Sequence, residues 1–282
     1  MNAYYAERKG LITQQLKLSL EELLNSFIQV YHYFHRKGSF DLAFRGASDE
    51  DRWTHETINI LPPTMAPSPE VYFMTHLQDK QVWPIAEYYE GYTEEILFSV
   101  IEMLYAHIGI YNYATSKIEV AEEKALYLEQ INNLLRAYKD GYYLEPTDGY
   151  VMEMPNKALQ EQLSYDGSDL PEGVLEQLKS ASRMYYRFDT DMEAKKKAIN
   201  ILADILEKVR DDLKETLNQE YDVSKNDHDR LIFGIVNGYN IRHNKADQKT
   251  DYSREIWYDW MMQYYTSTIL AYYKLKRVHE NP

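Results

Sequence analysis

Apolar residues recur every three or four positions through most of this chain, and that spacing suits helices that each bury one face. Leu16, Leu20, Leu23, Phe27, Tyr31 and Phe34 predict a long amphipathic helix that stops near Lys37 and Gly38. Asp41 to Pro69 reads as irregular, because Pro62, Pro63, Pro67 and Pro69 forbid a continuous helix there. Trp83-Pro84 opens a further helical region, with the stripe Ile96, Leu97, Val100, Ile101, Leu104 and Ile108. Another helix, roughly Ala121 to Tyr138, buries Tyr127, Ile131, Leu134, Leu135 and Tyr138. Between Asp140 and Met154, short β-favouring runs flank the Asp148-Gly149 turn and predict a β-hairpin near 141–154. A lone hairpin is marginal in water, so it must rest on helices or extend another sheet.

Tyr165 to Gly173 reads as a surface connection, dividing the chain into a mostly helical region, 1–165, and a bundle, 174–282. Within that bundle Val174 to Phe188 makes one helix, with Asp189 to Asp191 as the turn. The stripe Ile199, Leu202, Leu206, Val209, Leu213 and Leu217, widened by Ile201 and Ile205, makes a long second one. A third spans about Asp227 to Tyr239, and Ile256, Trp260, Tyr264, Thr268, Ala271 and Leu275 mark the fourth. Four helices with short links predict an antiparallel bundle, so the fold class is mainly α with one small hairpin.

Composition narrows the function classes. No apolar run approaches the ~18 residues of a membrane span, and Met1 to Arg8 lacks the layout of a signal peptide, which predicts a cytoplasmic protein without a membrane partner. With no cysteine there is no disulfide, thiol nucleophile or zinc-thiolate site. Against 31 Lys and Arg stand 45 Asp and Glu, a formal charge of -14, which argues against binding DNA in bulk but leaves room for RNA at one local basic site. Tyrosine is abundant, 27 against 8 Phe, and pairs such as Tyr185-Tyr186 and Tyr264-Tyr265 suit helix interfaces with apolar bodies and polar tips better than a base-stacking platform.

Chemistry concentrates where the third bundle helix ends. Leu231, Ile232, Ile235 and Val236 are apolar, and the chain then turns abruptly to Asn237, Gly238, Asn240, Arg242, His243, Asn244 and Lys245. Arg242 offers a rigid donor fork for phosphate or carboxylate, and His243 can exchange a proton near neutral pH. Such a pair can cleave an RNA phosphodiester without metal: the imidazole moves the 2′-hydroxyl proton while the guanidinium stabilises charge on phosphate oxygens. Asn237, Asn240, Asn244 and Lys245 would then orient a nucleotide. The same Arg and His can instead cap helix carbonyls or pair with Asp247 or Asp251, locking the last two helices. A third reading is nucleotide binding without cleavage, with Arg242 and Lys245 on phosphate and Tyr239 or Trp257 on the base.

Weaker candidates are the turn-spaced Arg183 and Arg187, the i, i+3 pair His32 and His35, and the segment Arg52 to His55. Acids beside the arginines favour solvated ion pairs, and no carboxylate completes a metal set with the histidines, so no metal or cofactor is expected. Walker, Gly-rich phosphate-loop and nucleophile-elbow motifs are absent.

The run Asp191, Lys195, Ala198, Leu202 and Glu207, followed by Leu231 to Asn237, Ile241 to Lys245, Gln248, Tyr252, Trp257 and Trp260, resembles a group of uncharacterised bacterial proteins. Their C-terminal domain in turn resembles the helical HEPN-like domains of abortive-infection, anti-phage proteins. Ile131 to Leu144, with Gly149 behind it, is similar to the region preceding that domain, so the likeness spans residues 131–273. It implies a C-terminal four-helix HEPN-like bundle that forms a homodimer and, in active members, a metal-independent endoribonuclease of the defence or toxin type. Active members carry Arg, then four to six residues, then His, at the start of a bundle helix, whereas Arg242 and His243 are adjacent here.

Overall fold

A computed structural model of the chain describes residues 16–51, 53–155, 170–220, 227–239, 241 and 251–280, with the isolated positions 5 and 9. For 218–220, 227–229, 236, 237 and 280 it describes the backbone path alone. The chain is mainly helical with a few small antiparallel strand pairs, and it divides into two compact units, Met1–Met154 and Pro155–Pro282.

In the first unit, α1 (Leu20–Lys37) begins four residues later than its apolar stripe suggests. Ser19 caps it in a reciprocal box with Glu22, and Leu18 is drawn instead into a backbone bond to Ala137 of 2.7 Å, leaving Leu16 exposed. Gly38, at φ +80°, ends the helix in the left-handed conformation that glycine adopts without strain. Leu23, Phe27 and Phe34 are fully buried, each contributing about 1.5–3 kcal/mol of transfer free energy.

The stretch expected to be irregular is ordered: α2 (Asp41–Arg45) leads into strands β1 (Ala47–Glu50) and β2 (Thr57–Ile60), paired from Ala47↔Ile60 to Glu50↔Thr57. The prolines act at its end, where Ser68 caps α3 (Pro69–Leu77) and Pro69 occupies the first turn. Two helices follow, α4 (Ile85–Tyr88) and α5 (Glu94–His107), the second capped by Thr93. A hairpin absent from the sequence reading, β3 (Ile110–Asn112) with β4 (Lys117–Glu119), precedes α6 (Ala121–Leu135).

The expected hairpin is present as β5 (Tyr142–Leu144) and β6 (Val151–Glu153). It rests on helices as a lone hairpin must: Asn132 of α6 exchanges bonds of 2.6 and 3.2 Å with the Leu144 backbone, and Glu102 of α5 accepts from Val151 N–H at 2.7 Å. A buried carboxylate links α1 to α6. Glu123 is 5% exposed, pairs with Lys37, and accepts a 2.5 Å bond from Ser39 Oγ.

In the second unit, α7 (Glu172–Tyr186) packs along α8 (Met192–Lys208), whose Asp191 cap accepts from Ala194 N–H at 2.7 Å. The predicted long second helix is divided at Val209, where the backbone leaves helical values, so α9 (Arg210–Glu220) is a separate segment. With α10 (Asp227–Gly238) and α11 (Arg254–Glu280), the described residues of this unit form five helices rather than four. Helix α8 lies between α7 and α11, and Leu202, Leu206, Met261, Tyr265 and Ile269 are buried in this unit's core. Among the described residues, no helix is long and apolar enough to cross a membrane.

Candidate functional site

Leu231 and Ile235 of α10 and Tyr239 just past its end are spaced at intervals of four, and Tyr239 N–H still donates to the Ile235 carbonyl at 3.1 Å, so the three share one face. The first turns of α11 present Ile256, Trp257 and Trp260. These six residues line an open groove of about 540 Å³. It is accessible as well as apolar, since Ile256 is 70%, Leu231 52% and Trp260 40% exposed.

Aromatic rings continue along the groove. Tyr239 and Trp257 lie 4.8 Å apart at 31°, Trp260 meets Trp257 edge-on at 5.5 Å, and Trp260 stacks on Tyr264 at 5.0 Å and 6°. Beneath them, Tyr265 donates to the Ile232 carbonyl at 2.8 Å and ties α11 to α10. Burial raises the pKa of Tyr264 and, together with the hydrogen bond that Tyr258 gives to Tyr252, that of Tyr258.

Two side chains hold the chain as it leaves α10. Tyr252 donates to the Tyr239 carbonyl at 2.7 Å, and Asn200 Nδ2, from α8, donates to the Ile241 carbonyl at 2.8 Å. Ile241 is itself buried, 1% exposed. The other amide atom, Asn200 Oδ1, is buried and has no hydrogen-bond partner among the described residues. Among the described residues, therefore, locking at this helix end is done by Tyr252 and Asn200.

Asn237 lies in the last turn of α10, with its side chain outside the described residues. Asn240, Arg242, His243, Asn244 and Lys245 also lie outside them, as do Asp247 and Gln248. In sequence, 242–250 run between Ile241 and Asp251. Tyr239 and Trp257, the two rings considered for a base, are brought together.

The weaker candidates fall elsewhere. Arg183 sits in α7 and Arg187 just past its end, and both engage neighbours. His35 stacks on Tyr31 at 5.4 Å, with His32 tilted against the same ring. Among the described residues, no group of three His, Asp or Glu side chains could hold a metal ion. His55 pairs with Glu50 at 2.7 Å on an exposed turn, and Arg52 lies outside the described residues. Sequence reasoning missed Asn200 and the groove that Ile256 and Leu231 both line. The i, i+4, i+8 spacing of Leu231, Ile235 and Tyr239, continued past the helix core to half-exposed positions, was the available signal. No protein-family model, curated protein or solved structure matches the chain.

Proposed function

We propose that the second unit is a HEPN-like domain of a prokaryotic defence or toxin-type protein, and that it binds RNA or a nucleotide in the groove between α10 and α11. The supporting observation is that Tyr239 and Trp257 share an open apolar groove at the helix end from which Arg242 and Lys245 follow within a few residues. A flat base gains stacking and dispersion on such rings, about 1–3 kcal/mol per base, while the cations that follow take the phosphate. In this reading Arg242 and His243 are the reactive pair of a metal-independent ribonuclease. His243 withdraws the 2′-hydroxyl proton and Arg242 stabilises the charge on phosphate oxygens as the attacking oxygen displaces the 5′-oxygen. Asn237, Asn240 and Asn244 orient the nucleotide.

A second reading, an interaction module that forms a homodimer without catalysis, is favoured by the exposed aliphatic rim of Leu231 and Ile256. Incubating total RNA and a structured tRNA pool in EDTA with wild type and with Arg242→Ala/His243→Ala separates the two. Cleavage by wild type alone supports the ribonuclease. Binding lost in Trp257→Ala, without cleavage by either protein, supports a nucleotide sensor. Neither binding nor cleavage, with sedimentation as a dimer that Ile256→Asp dissociates, supports the interaction module.

A further inference from the structure

A second surface, on the first unit, is independent of the groove. The β1–β2 turn carries Trp53 at 92% exposure, the most exposed large apolar side chain of the described residues. The turn is tightly bonded. Asp51 Oδ1 accepts from Trp53 N–H and Thr54 N–H, both at 2.8 Å, Asp51 N–H donates to the Glu56 carbonyl at 2.9 Å, and His55 N–H donates to the Asp51 carbonyl at 3.0 Å. Those two backbone donors hold the Asp51 carboxyl below its ordinary pKa. The indole is thus presented to solvent from a fixed platform.

The platform extends onto the neighbouring hairpin. Asp49 and Ile58 are cross-strand partners and share one face of β1–β2; Tyr111 and Ile118 do the same on β3–β4. Asp49 Oδ2 accepts from Tyr111 Oη at 2.7 Å and Ser116 Oγ at 3.1 Å, joining the two faces. On either side of that node Ile58 is 45% and Ile118 49% exposed, and Tyr113, edge-on to Tyr111, is 58% exposed. Four carboxylates flank these groups, Glu50, which pairs with His55, and Asp51, Glu56 and Glu119, against Lys117 and the sequence neighbour Arg52.

Exposed aromatic and aliphatic groups on a rigid frame are the kind of anchor that carries binding energy at protein interfaces. The carboxylates choose among occupants, because they repel phosphate backbones and anionic headgroups and attract cations. We propose that the paired hairpins dock a protein partner through a cationic amphipathic segment. Its apolar side covers Trp53, Ile58 and Ile118, and its Lys or Arg groups meet Glu50, Asp51 and Glu56.

The test uses the full chain with a fluorescent amphipathic peptide of Leu and Lys, a matched Leu/Glu peptide, and phosphatidylserine/phosphatidylcholine vesicles. Anisotropy is expected to show saturable binding of the Leu/Lys peptide alone, weakened about tenfold or more by Trp53→Ala. Ile58→Ser should weaken it through a second exposed position, and Glu56→Gln should lower the association rate and its salt dependence. Far-UV circular dichroism checks that each variant remains folded. Equal binding by Trp53→Ala would reduce the effect to general attraction toward a chain of charge -14 and overturn the proposal. Failure of the Leu/Lys peptide to bind would do the same, and Trp53-dependent vesicle binding would reassign the surface to a membrane.

Discussion

Replacing Asn200 by leucine separates the stability of the second unit from the order of its candidate site. Asn200 Nδ2 gives the Ile241 carbonyl a 2.8 Å bond, while Oδ1 of the same amide is buried with no partner among the described residues. The bond contributes about 0.5–1.5 kcal/mol net, and an orphaned buried acceptor costs about 1–3 kcal/mol. Leucine, close in shape, removes the bond and the orphaned oxygen but leaves the buried Ile241 carbonyl without its donor, so one orphan replaces another and global stability should fall only by about the net bond, about 0.5–1.5 kcal/mol. Locally nothing offsets the loss, because Ile241 O–Asn200 is the tether just before Arg242. Opening of the backbone at 239–241 should become easier by about 1 kcal/mol, roughly a fivefold rise in amide exchange rate. Asn200→Asp is the opposite control: it discards the donor, keeps the acceptor and adds a charge beside a carbonyl, and should cost more than leucine. Urea denaturation reports the global term, and hydrogen-exchange mass spectrometry of the peptide spanning the end of α10 reports the local one. A loss above about 2 kcal/mol in Asn200→Leu, with exchange at 239–241 unchanged, would refute the reasoning, since the amide would then be a core element rather than a tether.

Three further outcomes follow from the packing. Lys37→Met leaves the Glu123 carboxylate buried with Ser39 as partner; a broken buried pair costs about 3–5 kcal/mol, reduced to about 2 kcal/mol because the Lys37 side chain is 39% exposed. Adding Glu123→Leu should recover most of that loss in a double-mutant cycle by chemical denaturation. Asp212 is held below its ordinary pKa by Lys276 and then by Tyr272, so its bonds stabilise the fold above about pH 4 and are lost as pH falls through the lowered value. Asp212→Asn should accordingly flatten the acid limb of a melting-temperature profile, more visibly at low salt. Gly149→Ala should destabilise the first unit by about 1–3 kcal/mol, because φ is +73° and a Cβ would meet Tyr105 Cδ1 at 2.9 Å, and thermal melting measures it.

Legibility followed the range of the interactions. Stripes such as Leu97, Val100, Ile101 and Leu104 record contacts within one helix period, and the structure buries them as read. The hairpin at 142–153 was marked by its Asp-Gly turn, and Gly149 adopts the positive φ that the turn requires. The other two hairpins have no Asp-Gly turn to mark them, their strands are three or four residues long, and the side-chain bond from Tyr111 to Asp49 that joins them spans 62 residues. The division at Val209 was hidden because the apolar spacing runs through it unchanged, from Leu206 to Leu213. At the candidate site the order of residues placed polar groups just after α10, whereas the groove needed α10 and α11 side by side. Asn200 contributes from 41 positions away, which no local pattern encodes.

The excess of tyrosine over phenylalanine bears on how the helices find their register. Greasy faces slide past one another at little cost, and a core of phenylalanine would tolerate neighbouring alignments. Here buried rings end in hydroxyls that each reach one carbonyl: Tyr265 to Ile232, Tyr127 to Ile101, Tyr105 to Pro146. A slip of a single residue moves an acceptor by about 1.5 Å along the axis, enough to break such a bond and strand a dry hydroxyl. The tyrosines thus act as index pins, selecting one alignment among several of similar hydrophobic energy. Substituting them together by phenylalanine should leave a helical protein whose side chains no longer settle into a single set of positions.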